Sequence, residues 1–303
     1  MLLKQSGGYE PRDPSVIFHN GAYYHCFVRG AAEICVAKSN TLEKLISGDT
    51  VTVFTPEANK PYSKELWAPE LHIINEICYI YVACDDGNNV NHRMYVLTND
   101  SCDPMNPFRM VGKMSDESDR WAIDATVFSY GGRLYTVWSG WDNTVNDRQN
   151  LYIAEMSDPC TISSKRVLIS TPEHDWEKLD CIGDGVHRPF INEGPFAYIS
   201  DGELKGIFYS ASGSWANHYC IGFLAFCGTD PMQSDSWVKQ PFPALSIHDG
   251  WNGPGHCSLF SDGKSEYIAF HTYDEGKTCG WQNVHAVISP FKFENGKIVL
   301  LDF

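Results

Sequence analysis

No apolar run in this 303-residue chain approaches the length of a membrane span: the longest, such as ICYIYVAC at 77–84, are strand-sized, against the roughly 20 residues that a transmembrane helix needs. Basic charge is also scarce. Only 23 Lys and Arg stand against 38 Asp and Glu, a formal charge of −15, and so acidic a chain repels phosphate backbones and anionic lipid surfaces. Nucleic acid and membranes are thereby set aside as partners, and a neutral ligand fits better. None of the 11 cysteines (26, 35, 78, 84, 102, 160, 181, 220, 227, 257 and 279) forms a C-x-x-C, and their number is odd. They suggest neither a zinc ribbon nor a disulfide framework and read as buried free thiols. The first residues, MLLKQSGGYEPRDP, carry one Lys and no apolar stretch of signal-peptide length. A cytoplasmic location is the expectation, or a secreted one if a leader has been removed.

Several catalytic signatures are missing as well: there is no G-x-S-x-G elbow, no H-E-x-x-H and no phosphate-cradling glycine loop. No stretch has a convincing helical period and no Pro- or Ser-rich linker interrupts the chain, so residues 1–303 read as one domain.

What is present is a repeat. An apolar segment, a tight polar turn and a second apolar, aromatic segment recur five times: SVIFHNGAYYHCFV (15–28), LHIINEICYIYVACDD (71–86), TVFSYGGRLYTVWSG (126–140), FAYISDGELKGIFYSAS (196–212) and CSLFSDGKSEYIAFHTYD (257–274). Each reads as a β-hairpin, with Asn-Gly, Gly-Gly and Asp-Gly supplying the positive φ angles of two-residue turns and Asn-Glu in the second copy. A further strand follows each: AEICVAKSNTL (32–42), HRMYVLTND (92–100), QNLYIAEMSDP (149–159), YCIGFLAFCGTDP (219–231) and NVHAVISPFKF (283–293). Hairpin starts at 16, 71, 126, 196 and 257 give spacings of 55, 55, 70 and 61 residues. Periods of this kind predict an all-β fold, a five-bladed β-propeller with antiparallel four-stranded blades around a central channel.

The first strand of a propeller blade runs nearest the channel, so equivalent offsets ahead of each hairpin converge. These positions hold Asp13 in RDPSV, Glu70 in WAPELH, Asp124 in AIDATV, Glu193 in NEGPF and His256 in GPGHCS. Crowded carboxylates push one another's pKa values apart, and such a pair is what glycoside cleavage requires: one acid for the leaving oxygen and one base for water. The apolar neighbours of Glu193 (Phe190, Ile191, Pro195 and Phe196) suit it to the protonated role. Trp67, Trp138 and Trp141 adjoin the polar positions and are the candidate sugar-stacking surfaces, with Ser139 between the last two. His256 and Cys257, adjacent on a strand, face opposite ways and make no nucleophile pair. His72 and His271 read as structural residues.

The ordered fragments RDPSVI, ELWAPELH, DRWAIDATVF, VWSGWDN with QNLYIAEM, INEGPFAY, YSAS and GPGHCSLF resemble glycoside hydrolase family 43 over nearly the whole chain, and within it the exo-acting α-L-arabinofuranosidases. The resemblance implies hydrolysis with inversion of an arabinose-containing oligosaccharide, with Asp13 as general base, Glu193 as general acid and Asp124 orienting the acid and modulating its pKa. The candidate substrate contacts are Trp67, Glu70, Trp138, Ser139, Trp141 and His256. No cofactor is required for the chemistry; a calcium or other ion in the channel, held through water at His256, is left open. Two departures stand out: Cys257 follows the histidine where relatives have Asn, and Arg188 is the last arginine, so the late guanidinium of many relatives is missing. Gln282 or Asn283 is the substitute considered for binding a sugar hydroxyl. Rival readings are a β-xylosidase of the same fold, a non-catalytic sugar-binding propeller and a fructosidase; the last is disfavoured because RDP here opens the first repeat.

Overall fold

The computed structural model describes residues 10–274 and 283–301, together with the backbone of the strand Leu2–Lys4; Cys279 and Gln282 lie outside the described residues. All five expected hairpins form. Their strands pair as Ser15–His19 with Ala22–Arg29, Lys64–Ile74 with Ile77–Asp85, Ala122–Tyr130 with Arg133–Gly140, Phe190–Ser200 with Glu203–Ala211, and Asn252–Ser261 with Glu266–Tyr273. The turn at Asn20–Gly21 has φ values of 48° and 78°, the primed geometry that matches strand twist. In the second hairpin Asn75 and Glu76 adopt 51° and 62°, so the Asn-Glu turn is made by two residues that both carry a Cβ.

Each expected third strand is also present, at Glu33–Ser39, Arg93–Thr98, Arg148–Asp158, Cys220–Phe226 and Val284–Glu294. Outer strands complete the groups. The last group takes one outer strand from each end of the chain: Leu2–Lys4 and Lys297–Leu300 both pair with Val284–Glu294. Among the described residues the hydrogen-bonded sheets number four, of five, nine, four and four strands, where five separate four-stranded blades were expected. The difference lies at one seam. A short parallel contact, Arg148 beside Phe190 and Gln149 beside Ile191, links the third and fourth antiparallel groups into the nine-stranded sheet.

The opening strands touch in cyclic order, 15–19 to 64–74 to 122–130 to 190–200 to 252–261 and back to 15–19. Side chains tie neighbouring members: the amide of Leu71 donates to Ser15 Oγ at 2.9 Å, and that of Val16 to Ser258 Oγ at 3.2 Å. The core follows the same order. Tyr24 and Ile34 pack with Leu71 and Ile80, Tyr81 and Val96 with Val127 and Trp138, and Val137 and Leu151 with Ile207 and Tyr209. Phe208 and Phe223 pack with Ile268 and Phe270, and Ala269 and Ile288 return to Val16 and Phe27. Apolar packing thus lies between consecutive strand groups and leaves the polar openings of the inner strands to one shared cavity. All ten described cysteines are free; Cys26, Cys35, Cys78, Cys84, Cys220 and Cys257 are buried, whereas Cys102 and Cys227 are exposed.

Candidate active site

Every opening strand is entered through a kink. Asp13, Ala68, Asp124, Gly194 and His256 have φ values of 49°, 44°, 58°, 52° and 49°, and each lies two residues ahead of regular pairing at Ser15, Glu70, Thr126, Phe196 and Ser258. Left-handed backbone at a residue with a Cβ costs on the order of 1–3 kcal/mol and persists where the surrounding structure demands it. Here it turns side chains inward: Asp13, Ala68, Asp124 and His256 all line a cavity of about 430 Å³. In the fourth strand the kink is taken by Gly194, whose missing Cβ would lie 3.1 Å from the His256 ring, and the carboxylate that lines the cavity is the preceding Glu193.

This register corrects one expectation. The counterpart of Asp13 in the second strand is Ala68, not Glu70. Glu70 sits at the position of Ser15 and Thr126, is buried, is not among the cavity-lining residues, and pairs with His72 Nε2 at 2.8 Å.

The three cavity carboxyls are pushed in different directions. Burial favours the neutral form of Asp13, but nearby His256, the hydrogen bond with His271 and the Arg12 guanidinium outweigh it and hold this carboxyl well below the usual range. Its Oδ1 lies 3.0 Å from His271 Nδ1 and 3.4 Å from His256 Nδ1, and its Oδ2 lies 3.6 Å from Arg12 Nε. Glu193, 9% exposed, is pushed up to about 8 by burial and by the charge of Asp124, against the opposing effects of His256 and a 2.9 Å hydrogen bond donated by Tyr219 Oη to Oε1. Asp124 is raised to about 6, chiefly by burial. Its Oδ2 accepts the amide of Gly194 at 3.0 Å, which ties it to the backbone next to Glu193. For His256 burial opposes charging, yet Asp13, Asp124, Glu193 and Glu70 raise its pKa.

The walls are aromatic. Trp67, Trp121 and Trp215 line the cavity with Ile123, Ile191 and Gln149. Trp67 stacks on His92 with centroids 3.9 Å apart, and His92 Nδ1 lies 2.8 Å from Asp85 Oδ2. Trp138 and Trp141, expected at the pocket, do not line it. Trp138 is 1% exposed and packs against Tyr152 in the core between the second and third groups, because alternation along its strand turns it away from the cavity. Trp141 stands behind Trp121 in a parallel stack at 4.9 Å. Ser139 is fully buried and donates to the carbonyl of Asn192 at 2.9 Å, so it braces the strand that carries Glu193.

Besides the wall residues Trp121, Trp215 and Gln149, three neighbours of the carboxyls escaped sequence reasoning. Arg12 lies in the same RDP fragment as Asp13; it lines the cavity and donates to Ser214 Oγ at 2.9 Å and Tyr273 Oη at 3.1 Å, so a guanidinium is present although it comes from the beginning of the chain. His271, read as a structural residue, contacts Asp13 instead; burial pushes it down to about 4. Tyr219 had no sequence signal other than its place immediately ahead of the third strand of its group. Among the described residues no group of three or more His, Cys, Asp or Glu has the geometry to hold a metal ion. His256 faces Asp13 with a nitrogen at 3.4 Å, while calcium takes six to eight oxygen ligands, so the imidazole itself does not suit calcium as a direct ligand.

A family model described as Glycosyl hydrolases family 43 matches residues 9–298. The chain is 32% identical over 270 residues to a protein of Streptomyces chartreusis named extracellular exo-alpha-(1->5)-L-arabinofuranosidase, covering 86% of this chain and 79% of that one. It is also 32% identical over 269 residues to a protein of the same name from Streptomyces avermitilis, covering 86% of this chain and 54% of that one; the chain thus spans about half the length of this second relative. Among solved structures it is similar to an alpha-L-arabinofuranosidase from Lactobacillus brevis, with a TM-score of 0.83, 29% identity, and coverage of 95% of this chain and 93% of the other. The cytoplasmic expectation gains no support from relatives named extracellular. Among the described residues no helix is long and apolar enough to cross a membrane.

Proposed function

The chain belongs to glycosyl hydrolase family 43, and from that premise we propose that it is an inverting, exo-acting α-L-arabinofuranosidase that removes terminal arabinofuranosyl residues from arabinan or arabino-oligosaccharides. The observation that carries this reading is the divergence of the cavity carboxyls: Asp13 is held ionised by His256, His271 and Arg12, while Glu193 is held protonated by burial and Asp124. A base and an acid ready at the same pH are what a single displacement at the anomeric carbon needs.

In this mechanism Asp13 takes a proton from water as the water oxygen attacks the anomeric carbon. The glycosidic bond breaks, and Glu193 passes its proton to the departing oxygen. Asp124 acts on Glu193 by charge and by anchoring Gly194. Solvent exchange afterwards returns Asp13 to carboxylate and Glu193 to acid. The cavity volume lies near the small end of ligand pockets, roughly 300–1,000 Å³, which suits the end of a chain more than a long cleft, and Trp67, Trp121 and Trp215 offer apolar faces for a sugar ring. The cyclic contacts of the opening strands and the cores between consecutive groups favour five blades closed through Leu2–Lys4, one catalytic domain with a carbohydrate as its partner.

Two assays test the reading. Parallel hydrolysis of p-nitrophenyl α-L-arabinofuranoside and β-D-xyloside is expected to favour the arabinoside, and faster xyloside cleavage would transfer the assignment to a xylosidase. Proton NMR during early turnover is expected to show the β-anomer of arabinose first; the α-anomer appearing first would rule out inversion.

A further inference from the structure

The side chain of Glu193 has two oxygens, and only one can carry the proton toward a leaving group. Which one it is follows from hydrogen bonds behind the cavity. The backbone amide of His256 donates to Ser210 Oγ at 2.7 Å. An amide N–H can only donate, so Ser210 accepts there and its own hydrogen is free to go onward. A side-chain hydrogen bond with Ser210 works against the otherwise raised pKa of the Tyr219 phenol. The Tyr219 hydroxyl then donates to Glu193 Oε1 at 2.9 Å. With the single phenol hydrogen given to Glu193, Ser210 is the donor in its bond to Tyr219, and the donors run from a fixed amide to one oxygen of the glutamate.

The tyrosine that closes this chain is itself held in place. Tyr219 is fully buried, and its ring stacks on His271 with centroids 5.4 Å apart and planes 10° from parallel. It occupies space that only a glycine at position 255 leaves open, since a Cβ there would come within 2.0 Å of Tyr219 Cε1. The second glycine of the GPGH fragment thus has a physical purpose besides placing His256.

We propose that Tyr219 is a positioning residue for the acid: by donating to Oε1 it reserves Oε2 of Glu193 for the transferable proton and holds that oxygen toward the leaving group. A protonated carboxyl whose Oε1 already accepts a hydrogen bond keeps its hydrogen on the other oxygen, so the proton need not be redistributed before transfer. Through the stack on His271, the same ring lies against the residue that contacts Asp13, so one buried tyrosine fixes elements of both reacting carboxyls. The inference rests on Glu193 being the acid, and the test separates the two claims.

The experiment compares kcat/KM for aryl α-L-arabinofuranosides with good (2,4-dinitrophenyl) and poor (phenyl) leaving groups, across pH, in wild type, Tyr219→Phe and Glu193→Ala. A dinitrophenolate departs without a proton, so a misdirected acid is felt only on the phenyl substrate. Tyr219→Phe is expected to lose about tenfold on the phenyl substrate, the size of one hydrogen bond, and little on the dinitrophenyl one. Its alkaline limb is expected to move to higher pH, because Asp124, Asp13, His256 and Arg12 still face Glu193 but one stabiliser of the carboxylate is gone. Equal losses on both substrates, or none on either, would overturn the positioning role. If Glu193→Ala itself loses equally on both, the acid assignment fails and this proposal falls with it. Ser210→Ala supplies a second arm should Tyr219→Phe not fold: it frees the phenol from its upstream donor and is expected to show the same leaving-group bias at about two- to threefold.

Discussion

Glu177 and Glu193 are two buried glutamates separated by one side chain, and they are driven in opposite directions. The side chain is Asn192, which donates from Nδ2 to Glu177 Oε1 at 2.9 Å and immediately precedes Glu193. Glu177 is fully buried; burial alone would raise its pKa, but Lys239 at 2.7 Å and the amides of His174 and Glu173 at 2.8 and 2.9 Å bring it below the ordinary value. Tyr209 also donates to it, at 3.0 Å. Glu193 has comparable burial and its own tyrosine, but faces the carboxyl of Asp124 where Glu177 faces a lysine. Burial therefore does not decide the protonation state of a carboxyl; the partners do. One glutamate is held as a strut, and the other is held in the protonated form that the proposed acid requires.

The largest way to break this comparison is to remove the carboxyl proposed as the acid. Glu193→Gln is expected to lower kcat/KM on substrates with poor leaving groups by roughly 10³-fold, read by steady-state kinetics, whereas Glu177→Gln should leave turnover per folded molecule nearly intact. Stability should show the reverse. Glu177→Gln leaves the Lys239 ammonium buried without its carboxylate and is expected to cost about 3–5 kcal/mol, measured by urea unfolding near neutral pH.

The pH dependences of stability should also oppose each other. Glu177 has a folded pKa below its unfolded value of 4.5, so its contribution is complete above that range and is lost as pH falls through the folded pKa. Glu193 has a folded pKa near 8 against 4.5 unfolded, so the folded state holds an extra proton in between and its contribution declines as pH rises from 4.5 to 8. Glu193→Gln is accordingly expected to raise Tm at pH 8 relative to wild type, with a gain that shrinks toward pH 4.5. Wild-type kcat/KM should fall on the alkaline side around pH 8, and Asp124→Asn should move that limb to lower pH by deleting the neighbouring charge. The smallest expected effect is that of Gly194→Ala. At φ +52° an added Cβ costs on the order of 1 kcal/mol and presses on the His256 ring, so a severalfold loss in kcat with little change in KM is expected.

Much of the fold was legible because β-hairpins announce themselves locally: alternation and two-residue turns placed all five hairpins and their third strands. What escaped was non-local. The pairing of Leu2–Lys4 with Val284–Glu294 joins the two ends of the chain, and nothing in MLLK distinguishes it from an unattached end. At the site, the kinked entrances were readable as polar residues before strands, which brought Asp13, Asp124, Glu193 and His256 into view. Glu70 was misaligned because only backbone φ separates position 68 from position 70. Trp138 and Trp141 were misplaced because proximity in sequence does not say which face of a strand looks inward. Tyr219, one residue ahead of a third strand, and His271, in a strand next to an opening, act through space, where a periodic reading has no purchase.

The most direct test of the account is a carbon NMR titration of protein carrying ¹³C at the glutamate side-chain carboxyls, with Glu193→Gln and Glu177→Gln used to assign the two signals. The predicted result is a Glu193 signal that remains protonated at pH 6 and titrates near 8, beside a Glu177 signal ionised throughout pH 5 to 9. A Glu193 carboxyl already ionised at pH 6 would contradict its role as the proton donor.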